Sequence, residues 1–425
     1  MHGFRLSLLA IGVALFFAPA HGRAQAPVYQ GISDGFDFPA DKAVLELERK
    51  TGNMAAQRRH AWMLYAGMTQ TGPDGTPHWA TWYRVDEASA PLRSRPQSAR
   101  RLVMRFLKPN QQKDPGPLDL QQPRDSALSF VLFNWENFDH IRAKRLFLKR
   151  TLKRINRSYR ASTPWDQRII QPFPVRAVSL KTLWWPAAGD AKTPLPVWDN
   201  EPTQPLEERN SFKSWKRVVA VDVMRAQAPN AEFADITFLG KAFPSARVVG
   251  LNRFYAVRVD AALIDLLAQN KDDGIRILVK NVLGRDLKVG DYILFLGFHV
   301  TTKEIDDWTW QTFWWHDRPN EGPYAAGRPD AVIGVWRNYL MAVANDEVTP
   351  KEPDGSPLIA FNPWLEGSFR AGTQSNCMNC HRRASYPKIP FLPVRRGAPD
   401  LVSDPAYKPH RLQTDFLWTI VDKAR

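Results

Sequence analysis

Two cysteines stand three residues apart near the carboxyl end of the chain, and they are the only cysteines in its 425 residues. They belong to Cys377-Met378-Asn379-Cys380-His381, a Cys-x-x-Cys-His motif. This spacing is the attachment pattern of c-type haem, in which both thiols form thioethers with the porphyrin and the following imidazole binds the iron. The motif therefore predicts one covalently bound haem c, attached at Cys377 and Cys380, with His381 as the proximal iron ligand.

Two other kinds of site use closely spaced cysteines. A zinc site would need further ligands, and the sequence offers no other cysteine and no paired-histidine motif. A dithiol redox centre would need a thioredoxin-like strand before the motif and a helix after it, which the sequence does not indicate. We therefore favour haem. Arg382 and Arg383 follow the motif, and we expect their guanidinium groups near the haem propionates, a solvated basic pair being the alternative.

The sixth coordination position of the iron decides between functions, because a second protein ligand makes an electron carrier and an open face permits ligand binding or catalysis. No methionine follows Met378, which excludes the downstream methionine of small carriers. The remaining candidates are His410, His299 and His316, with Met341 as a further option, or no protein ligand at all. With an open iron face, His299 or His316 could instead act as a distal acid–base group.

The chain opens like an export signal. Arg5 precedes an apolar run over Leu6–Phe17 that is too short to span a bilayer, and Ala18-Pro19-Ala20 offers a cleavage site. We expect residues 1–20 to be a signal peptide, an uncleaved anchor being the alternative. No later segment is apolar enough to cross a membrane, so we expect a periplasmic or secreted protein without a transmembrane segment.

The charge is strongly basic, with 58 Lys and Arg against 43 Asp and Glu. Residues 135–159 read as one long helix with an apolar stripe, and no acidic residue follows Asp139 there. This helix could dock an acidic redox partner or contact an anionic membrane, while a solvated helix face is the simpler interpretation. Nucleic acid is not an expected partner, because no binding motif for it is present.

Sequence patterns outside the motif favour an α+β fold with a helical N-terminal region, a β-rich middle and a C-terminal haem-c segment. Two helices are expected at 41–51 and 53–69, a short helix at 261–270, and a β-hairpin at 292–315 with its turn at 303–307. Residues 161–210 read as irregular, and 218–223, 247–259 and 275–279 as strands. The predicted division is 1–20 signal peptide, 21–210 helical and irregular region, 211–320 β-rich region and 321–425 haem-bearing region.

The motif makes the chain similar to c-type cytochromes. Three segments, 307–316 (DWTWQTFWWH), 361–366 (FNPWLE) and 375–381 (SNCMNCH), resemble a group of secreted bacterial single-haem proteins of unsettled function. The cytochrome resemblance implies thioether sites at Cys377 and Cys380 and a proximal ligand at His381, but neither a sixth ligand nor a substrate. The expected function is periplasmic electron transfer rather than catalysis, with a haem oxidoreductase of peroxidase or small-molecule type, or a ligand-sensing protein, as alternatives.

Overall fold

The structure is a computed structural model that describes residues 31–92, 128–199, 212, 215–227, 232–268, 273–345, 358–366, 376–388 and 410–425. The predicted signal peptide lies outside the described residues. The described helices are α1 (Lys42–Lys50), α2 (Met54–Met68), α3 (Val85–Ala88), α4 (Trp135–Ala143), α5 (Lys149–Ser158), α6 (Ala261–Ala268), α7 (Asp273–Leu283), α8 (Cys377–Arg382) and α9 (Trp418–Lys423). The described strands are β1 (Tyr83–Arg84), β2 (Val131–Phe133), β3 (Val178–Ala187), β4 (Thr193–Val197), β5 (Arg217–Asp222), β6 (Phe233–Phe238), β7 (Lys241–Gly250), β8 (Ala256–Arg258), β9 (Tyr292–Thr302), β10 (Thr309–Trp315), β11 (Tyr339–Val343), β12 (Ser385–Tyr386) and β13 (Leu412–Gln413).

The predicted α+β class, with helices at the N-terminus and strands in the middle, is confirmed. The two N-terminal helices begin where side-chain caps permit: Asp41 accepts a hydrogen bond from the backbone amide of Ala43 at 2.7 Å, and Asn53 from that of Ala56 at 3.2 Å. Such caps satisfy amides that have no partner within the helix. The expected short helix from residue 261 is also present as α6.

A central sheet organises the molecule, with strand order β1-β2-β3-β9-β10-β11 and β8 paired to the start of β9. The predicted hairpin is confirmed as β9 and β10. Thr312 of β10 pairs with His299, and His299 pairs on its other side with Lys181 of β3. Because directly paired residues share a face of a sheet, these three side chains lie on one face.

The two faces of this sheet carry different layers. On one face, Tyr65 of α2 stacks on Phe313 with ring centroids 4.4 Å apart. On the other face, Trp310 lies with its ring 4.6 Å from that of His381, which belongs to the motif helix α8. The sheet thus separates the N-terminal helices from the segment that carries the Cys-x-x-Cys-His motif.

Four expectations about elements are wrong. The strand expected at 247–259 ends at Gly250 and is followed by a 3-10 turn over Leu251–Arg253 and the separate strand β8. The single helix expected at 135–159 is two helices, α4 and α5, with Arg145 between them in a left-handed conformation at φ 54°. Residues 178–187 and 193–197, expected to be irregular, form β3 and β4. Residues 275–279, expected to be a strand, lie inside helix α7.

A second sheet of order β4-β5-β7-β6 and the β12-β13 pair complete the described strands. The central sheet draws strands from three of the predicted regions, since β3, β9 and β11 all belong to it. The division of the chain into domains remains a prediction. Among the helices that the structure describes, none has the length and apolar character that crossing a bilayer requires.

Candidate haem site

His381 is held at the C-terminal part of the short helix α8 by three neighbours. Its Nδ1 lies 2.8 Å from the backbone carbonyl of Phe416, and the ring of Trp310 covers it. The indole of Trp418 donates to the carbonyl of Cys380 at 3.1 Å, which ties the motif to helix α9. Because the Phe416 carbonyl can only accept, Nδ1 is the protonated nitrogen and Nε2 carries the free lone pair.

The Phe416 carbonyl sits in a constrained loop. Asp415 and Phe416 both have left-handed backbone conformations, with φ of 47° and 65°. The Asp415 carboxylate is fully buried and accepts hydrogen bonds from Lys303 Nζ at 2.7 Å and from the indole of Trp308 at 3.1 Å. This buried ion pair fixes the loop against the turn between β9 and β10. A fixed loop gives the His381 imidazole a fixed orientation.

A second imidazole faces the same region. His299 Nε2 lies 2.6 Å from Glu366 Oε1, while the other carboxylate oxygen of Glu366 accepts from the backbone amide of Asn362 at 2.6 Å. Asn362 in turn donates to the Thr312 hydroxyl at 3.0 Å. Among the described residues, the buried Nδ1 of His299 has no hydrogen-bond partner. A buried polar atom without a partner is costly, and a bound metal ion is one partner that would satisfy it.

The two imidazoles are electrostatically coupled. Burial lowers the pKa of His381 to about 4, and the charges of His299 and Lys181 add to this effect. Burial alone would raise the pKa of Glu366, but the charge and hydrogen bond of His299 hold it below its ordinary value. At neutral pH, His381 is therefore neutral, which is the form of imidazole that can ligate a metal, and it lies beside an ionised carboxylate.

Both thiols of the motif lie in α8 and are reduced. Cys377 Sγ is 4.0 Å from the carbonyl of Ala360, and burial raises its pKa well above the ordinary value, with Glu366 and Cys380 contributing. A dithiol redox centre relies on a thiolate of low pKa, so this environment is unsuited to that alternative. Within the described ranges, no cluster of three or more His, Cys, Asp and Glu residues suited to a metal ion is found.

Of the other two candidate histidines, His316 lies far from His381 and His410 is on the surface. His316 accepts a hydrogen bond from the amide of Arg318 at 2.9 Å and lies beside Asp199 and Asp317 in an ionic cluster around Arg217. It follows the end of β10 opposite to Trp310, about 20 Å away along the strand. His410 is exposed, and its carbonyl accepts from Asn156 at 2.8 Å.

The methionine option and the two arginines are also placed by the structure. Met341 pairs with Phe313 and is fully buried, which puts it on the sheet face that packs against α2, away from His381. Arg382 lies 3.8 Å from Asp307 and over the ring of Phe416, so it is engaged by the protein. Arg383 is buried.

Sequence reasoning missed two charged residues at this site, Lys181 and Glu366. A lone lysine within an apolar strand was a usable signal for Lys181, because lysine is rarely placed among buried residues without a reason. Glu366 stands at the end of the segment 361–366, where no neighbouring residue indicates a role for it. Its pairing with His299, 67 residues away in the chain, has no local signature.

The residues present fit a c-type haem. Two cysteines at the required spacing, a neutral His381 with a free Nε2, and His299 with a buried unpartnered nitrogen lie in one region. Comparison of the chain with protein-family models, with curated proteins and with solved structures gives no significant match.

Proposed function

We propose that this chain is an exported, single-haem c-type cytochrome that transfers electrons in the periplasm. Cys377 and Cys380 would carry the thioether bonds, His381 would be the proximal ligand and His299 the sixth. The observation that carries the proposal is that each imidazole has one nitrogen bound to a protein oxygen and the other nitrogen free. That is the arrangement in which protein-bound imidazoles ligate a metal.

The haem would supply a one-electron couple between ferric and ferrous iron. The chain's own residues would determine the orientation and the donor strength of the two ligands. The Phe416 carbonyl and the Trp310 ring orient His381, and the Glu366 carboxylate makes His299 a more electron-rich donor. The two imidazoles and the Glu366 carboxylate are half-buried, and the reduced contact with solvent strengthens the electrostatic interactions among them.

The test is spectroscopic. The protein is produced with an active haem-attachment pathway, and absorption spectra of both oxidation states are recorded with and without carbon monoxide. We expect a low-spin spectrum that carbon monoxide does not change. His299→Ala should give high-spin iron that binds carbon monoxide, while the matched variants His316→Ala and His410→Ala should leave the spectrum unchanged. Colourless protein with the mass of the polypeptide alone would refute the proposal.

A second candidate function is a haem oxidoreductase or a haem-based ligand-binding protein with an open iron face. The observation that favours it is the 2.6 Å contact between His299 and Glu366, because a histidine oriented by a carboxylate is a common proton donor and acceptor in catalysis. In that case the unmodified protein should itself be high-spin and bind carbon monoxide. The same spectra therefore decide between the two functions.

A further inference from the structure

Eight exposed cations cover the segment that runs from the end of α4 through α5, and we call them the cationic face. They are Lys144, Arg145, Lys149, Arg150, Lys153, Arg154, Arg157 and Arg160. No acidic residue occurs between residues 140 and 165. Among the residues that the structure describes, none of the eight has an ion-pair partner. Several are four residues apart on one helix, a spacing at which like charges repel and oppose helix formation.

The cationic face is bound directly to the haem-bearing C-terminal region. The amide of Lys149 donates to the carbonyl of Arg425 at 3.0 Å, and the amide of Arg425 donates to the carbonyl of Phe147 at 3.0 Å. The Asn156 side chain donates to the carbonyl of His410 at 2.8 Å. Leu152 of α5 and Met378 of the motif helix are both fully buried in one apolar core. The charges are thus carried on the outer side of a helix whose inner side contacts the core around the motif.

We infer that the cationic face is the docking surface for an acidic redox protein, which would exchange electrons with the haem proposed above. This inference rests on the proposed function. An anionic membrane is the less favoured occupant, because stable lipid binding by a helix needs apolar residues that enter the bilayer. On α5, Leu152 is buried in the protein's own core and Ile155 is half-buried against it, and none of the fully exposed large hydrophobic side chains described lies between residues 144 and 160. A charged face with little exposed apolar surface suits steering and transient contact with an acidic protein.

The experiment measures electron transfer from the reduced protein to a blue-copper protein of net negative charge by stopped-flow absorption. The face variant is Lys153→Glu/Arg154→Glu/Arg157→Glu. The control variant, Lys241→Glu/Arg258→Glu/Arg276→Glu, makes the same charge change at exposed positions on β7, β8 and α7. At low ionic strength the face variant should lose about tenfold or more in the second-order rate constant and the control less than about threefold, and both differences should disappear at high salt.

Equal losses in both variants would overturn the inference, because they would reflect net charge alone. Binding of the protein to phosphatidylglycerol vesicles is measured in a sedimentation assay. If the face variant alone loses this binding and its rate constant with the blue-copper protein is unchanged, the inference is overturned in favour of a membrane. Haem content is measured first by the pyridine haemochrome spectrum, so loss of the proposed function is recognised separately. Calorimetric titration with the same acidic protein measures docking without using the haem, and equal affinities of all three proteins would refute the docking surface.

Discussion

At the scale of single residues, the candidate site gives its two imidazoles unequal partners. His381 is bonded to a neutral backbone carbonyl, and His299 is bonded to a carboxylate whose pKa is lowered. A carboxylate acceptor draws the proton of the imidazole more strongly than a carbonyl does, and it makes the other nitrogen a better donor to a metal cation. The His299 side should therefore favour ferric over ferrous iron.

This asymmetry predicts the effect of Glu366→Gln. The amide keeps a hydrogen-bonding oxygen but removes the negative charge, so the ferric state loses stabilisation and the reduction potential should rise. We expect a rise of about 60 mV or more, which corresponds to a tenfold change for one electron. Potentiometric titration followed by absorption measures it. Glu321→Gln removes an equal charge from an exposed side chain and serves as the control; equal potentials in the two variants would contradict the assignment.

How much of this site the sequence could predict depends on how local each signal is. Cys377, Cys380 and His381 form a contiguous motif, so their common placement on α8 follows from the sequence. His299 could be proposed only as one of several histidines, because the β9–β10 pairing and the sheet face decide which histidine reaches the motif. His316 follows the far end of β10, so the length of this strand keeps it away from the motif. His410 is an exposed residue that precedes β13.

At the scale of elements, helix α4 ends in a C-terminal cap that lacks the glycine usually found there. The amide of Leu146 donates to the carbonyl of Ile141, and the amide of Arg145 donates to that of Arg142, which is the Schellman pattern. Leu146 and Ile141 are both buried in the same core, and this supplies the expected apolar contact. Glycine normally occupies the left-handed position, but here Arg145 does, so no residue type at this position indicates the end of the helix.

The same geometry predicts that Arg145→Gly stabilises the protein. Glycine adopts the left-handed conformation without the steric cost that a side chain carries, and part of this gain is offset by the larger entropy of glycine in the unfolded chain. We expect the free energy of unfolding to rise by about 0.5–1 kcal/mol, measured by chemical denaturation. Arg154→Gly, which places glycine in the interior of α5, should lower it by about 1 kcal/mol. A loss of stability in both variants would show that residue 145 is not left-handed.

Other element-level errors have similar causes. The apolar run at 275–279 is too short for its periodicity to separate a strand from a buried helix, and the structure places it in α7. Strand β3 contains Trp184, Trp185 and Pro186 and is buried over most of its length, so it lacks the alternation by which strands are recognised. By contrast, the capped helices and the β9–β10 hairpin carry their own start and stop signals, and they were predicted well.

At the scale of the whole molecule, the central sheet is shared by two apolar cores. The larger core includes Trp62 and Tyr65 of α2 together with Phe313, and the smaller one joins Phe147 and Leu152 to Met378 and the C-terminal residues. Cys377 packs against the smaller core. Haem attachment should therefore stabilise the second core far more than the first, because a bound group stabilises the part of the structure that holds it.

This division predicts the pattern of hydrogen exchange in a haem-free protein made by Cys377→Ala/Cys380→Ala. Protection of backbone amides should fall by tenfold or more, or about 1.4 kcal/mol, in residues 376–388, 410–425 and 147–158, because these segments are held around the motif. Residues 54–68 and 339–343 should change much less, since their side chains pack with one another in the larger core. Mass spectrometry of peptides from both forms measures the difference. Uniform loss of protection would mean that the two cores unfold as one unit, and an unchanged pattern would mean that the haem, if bound, is not held by the second core.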